Sequence, residues 1–126
     1  ILTDRGMHRI PVGSLALAAK GAALTPDVKA RLVALAGKTE QAMTTEPGLP
    51  GGRGWYRNMI YAPGRFTGYG AKTLPGVREA IEDERWEDAD TYAGYTAKAI
   101  NTYADLLDQG VTLMGGPAAA TSTGAR

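Results

Sequence analysis

The sequence contains no cysteine and a single histidine, His8. The first absence excludes a disulfide framework and any thiolate nucleophile or ligand. The second leaves only one imidazole for zinc or for a Ser-His-Asp arrangement, both of which need several converging groups. His8 lies close to the start of the chain, and we read it as a surface or terminal residue. No apolar run approaches the ~20 residues needed to cross a bilayer. The small apolar stretch Pro11 to Leu24 is interrupted by Ser14, Lys20 and two glycines, and it lacks the basic start and clean cleavage site of a signal peptide. The first residue is Ile1 rather than Met, which we take as the mark of a piece of a longer protein.

Glycine is plentiful, at 17 of 126 residues, well above the ~7% of ordinary domains. It concentrates in one place. Between Pro47 and Gly68 lie nine glycines and prolines, a density that no helix survives. Five of the nine aromatic residues also fall in the loop 46–74: Trp55, Tyr56, Tyr61, Phe66 and Tyr69. Disordered linkers are poor in aromatics, so the loop is expected to be ordered and packed.

Helical periodicity flanks this loop. Thr25, Pro26 and Asp27 form a helix start with an N-cap, a proline at the first turn and an acid at the positive end. Val28, Leu32, Leu35, Ala36, Thr39, Ala42 and Met43 then recur at three- and four-residue steps, which predicts a helix over 26–45. A short helix is expected over 75–85, with Val77, Ala80 and Ile81 on its apolar side. A long one is expected over 88–109, with a stripe of Tyr92, Thr96, Ala99, Ile100, Tyr103, Leu106 and Leu107 and with Gly110 at its end. A weaker pattern covers 8–23. The expected fold is all-α, an up-and-down bundle of three to four helices with one long ordered irregular loop, occupying residues 1–114. Residues 115–126 are small, polar and low in complexity, and are expected to form a flexible tail.

The net charge of +1 conceals an uneven layout. Residues 47–76 carry Arg53, Arg57, Arg65 and Lys72 and no acid, a local charge of +4. Residues 77–110 carry nine acids against Arg78, Arg85 and Lys98, a local charge of −6. The acids Glu82, Asp83, Glu84, Glu87 and Asp88 are mostly consecutive, so they point in different directions around a helix and read as a solvated face, not a catalytic pair. Gly51, Gly52 and Gly54 do not match a phosphate-binding loop and follow no strand. The chain is thus expected to have no catalytic residue and no metal site of its own. The basic aromatic loop has two open readings. It suits an anionic ligand or single-stranded nucleic acid, or its aromatics simply anchor it while the cations are solvated. The neighbouring −6 segment would repel phosphates, which speaks against nucleic acid.

The run Gly48-Leu49-Pro50, then Trp55-Tyr56-Arg57-Asn58-Met59-Ile60-Tyr61-Ala62-Pro63, then Tyr69-Gly70-Ala71-Lys72-Thr73-Leu74-Pro75-Gly76 resembles the transferrin receptor-like dimerisation domain. That domain is the C-terminal one shared by glutamate carboxypeptidase II and the transferrin receptor. The resemblance covers roughly residues 30–110. It implies a helical domain that pairs with a second copy, so that a homodimer is expected. It also implies an upstream peptidase domain in the same chain, whose zinc is held by ligands outside this segment, and it suggests an exported protein, periplasmic or extracellular. In the carboxypeptidase a loop of this domain reaches the catalytic cleft, where a Lys-Tyr pair holds the substrate's terminal carboxylate. Tyr69 matches the tyrosine and Gly68 stands at the lysine position, so Arg65 and Lys72 join Tyr69 as candidate substrate-binding residues. Asn58 stands where the family has a histidine.

Overall fold

The structure, a computed structural model, describes residues 19–20 and 24–115. The expected helix over 8–23, His8 and the tail lie almost wholly outside these residues. Two compact units divide the chain: one is built on Glu40–Thr102, the other on the described parts of His8–Thr39 and Tyr103–Arg126.

In chain order the elements are α1 (Pro26–Ala36), α2 (Thr39–Ala42), β1 (Tyr61–Pro63), β2 (Ala71–Thr73), α3 (Pro75–Glu82) and α4 (Trp86–Leu113). The protein is mostly helical but not all-α, because β1 and β2 pair as an antiparallel ribbon with Tyr61 opposite Thr73 and Pro63 opposite Ala71. Gly/Pro density hid this pairing. Only three residues of each strand lie in register, too few for an alternating pattern to show against the glycines around them.

The helix start at Thr25 is as the sequence predicts, with the Val28 amide donating to Thr25 Oγ1 at 3.3 Å. The expected single helix over 26–45 is broken. Gly37, a poor helix former, follows Ala36, and Thr39 Oγ1 donates to the Ala36 carbonyl at 2.7 Å, competing with the helical ladder. The short α2 resumes after the break. The last helix departs in the opposite sense. It passes through Gly110 and continues to Leu113, because Val111 is fully buried there. Burying a valine is worth ~1.5–3 kcal/mol, more than the ~1 kcal/mol that a helical glycine costs.

In the Glu40–Thr102 unit the core is a loop laid on a helix. Leu49, Met59 and Ala62 from the loop pack with Tyr92 and Ala99 of α4, and Tyr56, Val77 and Tyr95 seal the edges. Backbone bonds close the loop on itself. The Leu49 amide donates to the Tyr56 carbonyl at 2.8 Å, Thr45 to Arg57 at 3.0 Å and Met59 to Met43 at 2.9 Å. Gly48 adopts φ 64°, and a Cβ there would collide with the Gly54 carbonyl, so this turn requires glycine. Tyr92 fastens the assembly. Its hydroxyl donates to the Gly48 carbonyl at 3.0 Å, and its ring occupies the space a Cβ on Gly76 would need.

Burial, with the nearby Asp88 carboxylate second, raises the Tyr92 phenol above the usual tyrosine range. The folded state therefore favours the neutral phenol, and its contribution to stability is complete below about pH 10 and is lost as pH rises beyond that. Tyr92→Phe is expected to lose ~1–3 kcal/mol at neutral pH, since the buried Gly48 carbonyl then lacks its donor. The variant should also lose that part of the alkaline destabilisation. Urea titrations at pH 7 and pH 10.5 measure both effects.

Candidate functional site

The turn between β1 and β2 is the most exposed feature of the loop. The Gly64 amide donates to the Gly70 carbonyl at 3.0 Å, closing residues 64–70 into a tip with Gly68 at φ 60°. Phe66 is 81% exposed and the Tyr69 ring is fully exposed. Arg65 lies over the Phe66 ring, 4.8 Å from its centroid, a cation–π geometry. The three candidate substrate-binding residues Arg65, Tyr69 and Lys72 are thus all on the tip or at the start of β2.

Both cations are already engaged. Arg65 Nη1 donates to Asp83 Oδ2 at 3.2 Å, and Lys72 Nζ pairs with Glu82. Glu82 also accepts from Arg78 Nε at 3.0 Å. Hydrogen bonds from Lys72 first, then from Arg78, hold its carboxyl below the usual carboxylate range. The other two cations of the loop are paired as well, Arg57 with Glu46 at 3.2 Å and Arg53 with Glu79. The +4 and −6 segments thus largely answer each other within one unit. The acids expected to form a solvated face are in part ion-pair partners: Glu82, Asp83 and Asp88 all hold arginines or Lys72.

One of these pairs is interior. Glu79, on α3, is 3% exposed. Its Oε2 accepts from Arg53, and its Oε1 accepts the Arg65 backbone amide at 2.9 Å. Arg53 Nη1 donates in turn to the Pro63 carbonyl at 3.0 Å. In the sequence alone Arg53 is one unit of loop charge and Glu79 one of the nine acids of residues 77–110. The signal that was available is the charge inversion between the two segments, which implies pairing without naming partners.

The expected aromatic anchors differ from the observed ones. Tyr56 packs on the core, while Trp55, Tyr61 and Phe66 are exposed, and Leu49, Met59 and Ala62 do the anchoring. Asn58, at the position of the family histidine, accepts the Ile60 and Tyr61 amides on Oδ1 at 2.8 and 3.1 Å. It therefore shapes the turn into β1.

A separate groove of about 380 Å³ runs between residues 41–47 and the Tyr95, Lys98, Ala99 and Thr102 side of α4. Its lining mixes one carboxylate, Glu46, with one ammonium, Lys98, and presents no nucleophile–base pair. Among the described residues there is no histidine, and no three His, Cys, Asp or Glu side chains converge to hold a metal ion. The donor set of the described residues does not fit zinc. No helix among the described residues is long and apolar enough to cross a membrane.

Residues 27–108 match the profile of the transferrin receptor-like dimerisation domain. Over 100 residues the chain is 32% identical to a probable glutamate carboxypeptidase, LAMP1, of Arabidopsis thaliana, a match covering 74% of this chain and 14% of that protein. Over 67 residues it is 37% identical to a probable glutamate carboxypeptidase of Arthroderma benhamiae, covering 53% of this chain and 9% of that protein. The chain thus spans a small fraction of the length of these relatives. No solved structure matches it.

Breaking the interior pair by Glu79→Ala is expected to destabilise the fold by about 3 kcal/mol, because the half-buried Arg53 is left without its counter-ion. Lys72→Ala, whose partner Glu82 is exposed, should cost far less. Thermal and chemical unfolding of the two variants checks this ordering.

Proposed function

The chain belongs to the transferrin receptor-like dimerisation domain family, and we propose that it is the homodimerisation module of a glutamate carboxypeptidase-like zinc exopeptidase. The observation that carries the reading, beside the family match, is α1. It has no buried residue. Its stripe residues Val28, Leu32 and Leu35 are only half-buried, and Val33 is 72% exposed. An isolated helix of 11 residues is marginal in water. Packing by a second copy would supply the missing burial, and a two-fold pair is the commonest closed assembly.

In the same reading the peptidase domain lies upstream in the chain and holds the zinc, and the tip 64–70 reaches its pocket. Tyr69 would donate a neutral hydrogen bond to the substrate's terminal carboxylate, while Arg65 and Lys72 would add charge, in competition with Asp83 and Glu82. The alternative, an independent anion- or nucleic-acid-binding module, is disfavoured because every cation of residues 47–76 has a carboxylate partner.

Light scattering of the chain at tens of micromolar is expected to give a dimer mass, and Leu32→Asp with Leu35→Asp a monomer; a monomeric wild type counts against the proposal. In the peptidase-containing protein, Tyr69→Phe is expected to raise KM about five-fold, the worth of one hydrogen bond. Unchanged kinetics would remove Tyr69 from the pocket.

A further inference from the structure

We propose that Glu79 is the positioning residue of the loop tip, setting from the interior of α3 where residues 64–70, and hence Tyr69, stand. This rests on the reading that the tip lines the substrate pocket. Apart from Glu79 the tip is held by surface contacts, among them the Arg65–Asp83 pair. It is closed at its base by the Gly64–Gly70 bond and the short β1–β2 ribbon, while residues 65–70 are all exposed. The interior contact is made by the Glu79 carboxylate. Its Oε1 takes the Arg65 amide, the first link of the tip, at 2.9 Å. Its Oε2 takes the Arg53 guanidinium, which reaches on to the Pro63 carbonyl at 3.0 Å, the last residue of β1. One carboxylate thus fixes the chain on either side of Gly64. Gly64 is itself buried, and a Cβ there would collide with Thr67 Oγ1, so the bend has little freedom to re-form elsewhere.

The side-chain exposures are 16% for Arg53 and 4% for Glu79. At that burial a single substitution would strand a charge and damage the fold as a whole. Paired substitutions avoid this. Arg53→Met with Glu79→Gln removes the charges but keeps an amide oxygen to accept the Arg65 N–H. Arg53→Met with Glu79→Leu removes the charges and the acceptor together. Both lose the Pro63 contact equally, so their difference isolates the bond that holds the tip.

The test uses the peptidase-containing protein and a peptide substrate with a free terminal carboxylate, with Tyr69→Phe run alongside. The Leu pair is expected to raise KM about five-fold over the Gln pair at equal kcat. Chymotryptic cleavage at Phe66 and Tyr69 should be faster by a similar factor, since the freed tip opens more often. Dimer mass should be the same in both pairs, and their melting temperatures should differ by no more than the few degrees that one hydrogen bond is worth. Equal KM and equal cleavage in the two pairs, with Tyr69→Phe still raising KM, would overturn the positioning role alone. A Tyr69→Phe variant with wild-type KM would overturn the pocket reading and the positioning role with it.

Discussion

The contact on which the Glu40–Thr102 unit depends is that of Tyr92 with two glycines far from it in sequence. The hydroxyl meets the Gly48 carbonyl and the ring fills the space beside Gly76. One side chain of α4 therefore touches the beginning of the loop and the first turn of α3. A long glycine-rich segment has a large conformational entropy to lose on ordering. Leu49, Met59 and Ala62, packed beside Tyr92 and Ala99, supply the apolar burial that offsets it. The edge-on contact of Tyr92 with Tyr95, 5.5 Å between ring centroids, adds a favourable aromatic geometry.

Electrostatics completes what packing begins. The loop brings four cations, and each finds a carboxylate: Glu46 within the loop's own start, Glu79 and Glu82 on α3, and Asp83 at the end of that helix. The exposed pairs contribute little individually. The interior pair differs because its carboxylate also holds a backbone amide, so charge and chain path are settled by the same atoms. A loop of this design can carry exposed aromatics at its tip without being mobile at its root. That is the property a contribution to a neighbouring pocket would require.

Much of this was legible from residue order. Thr25-Pro26 marks the start of α1, and Val28, Leu32 and Leu35 of the stripe recur as its half-buried positions, while Ala36 is exposed. Tyr92, Thr96, Ala99 and Leu107 are buried as their spacing predicts. The order of the loop followed from its aromatics, and its family from its motifs. What stayed hidden has physical reasons. The β1–β2 ribbon is too short for periodicity to register. The helix through Gly110 is decided by the burial of Val111, a tertiary effect. The anchors proved to be Leu49 and Met59 instead of Trp55 and Phe66, because the larger rings face outward. Within the candidate site, the placement of Arg65, Tyr69 and Lys72 around one turn followed from their closeness in sequence. The role of Glu79 did not, since it pairs across 26 residues with Arg53 and across 14 with Arg65.

The segment rich in glycine and proline is a packed structural layer on α4. Amide hydrogen exchange of the Leu49, Tyr56 and Met59 N–H groups, the first two bonded within the loop and the third to the Met43 carbonyl just before it, reads this out. Protection approaching that of the α4 amides between Tyr92 and Ala99 is expected, because the two layers should open together. Exchange of those three amides at the rate of an unstructured peptide, with α4 still protected, would contradict it.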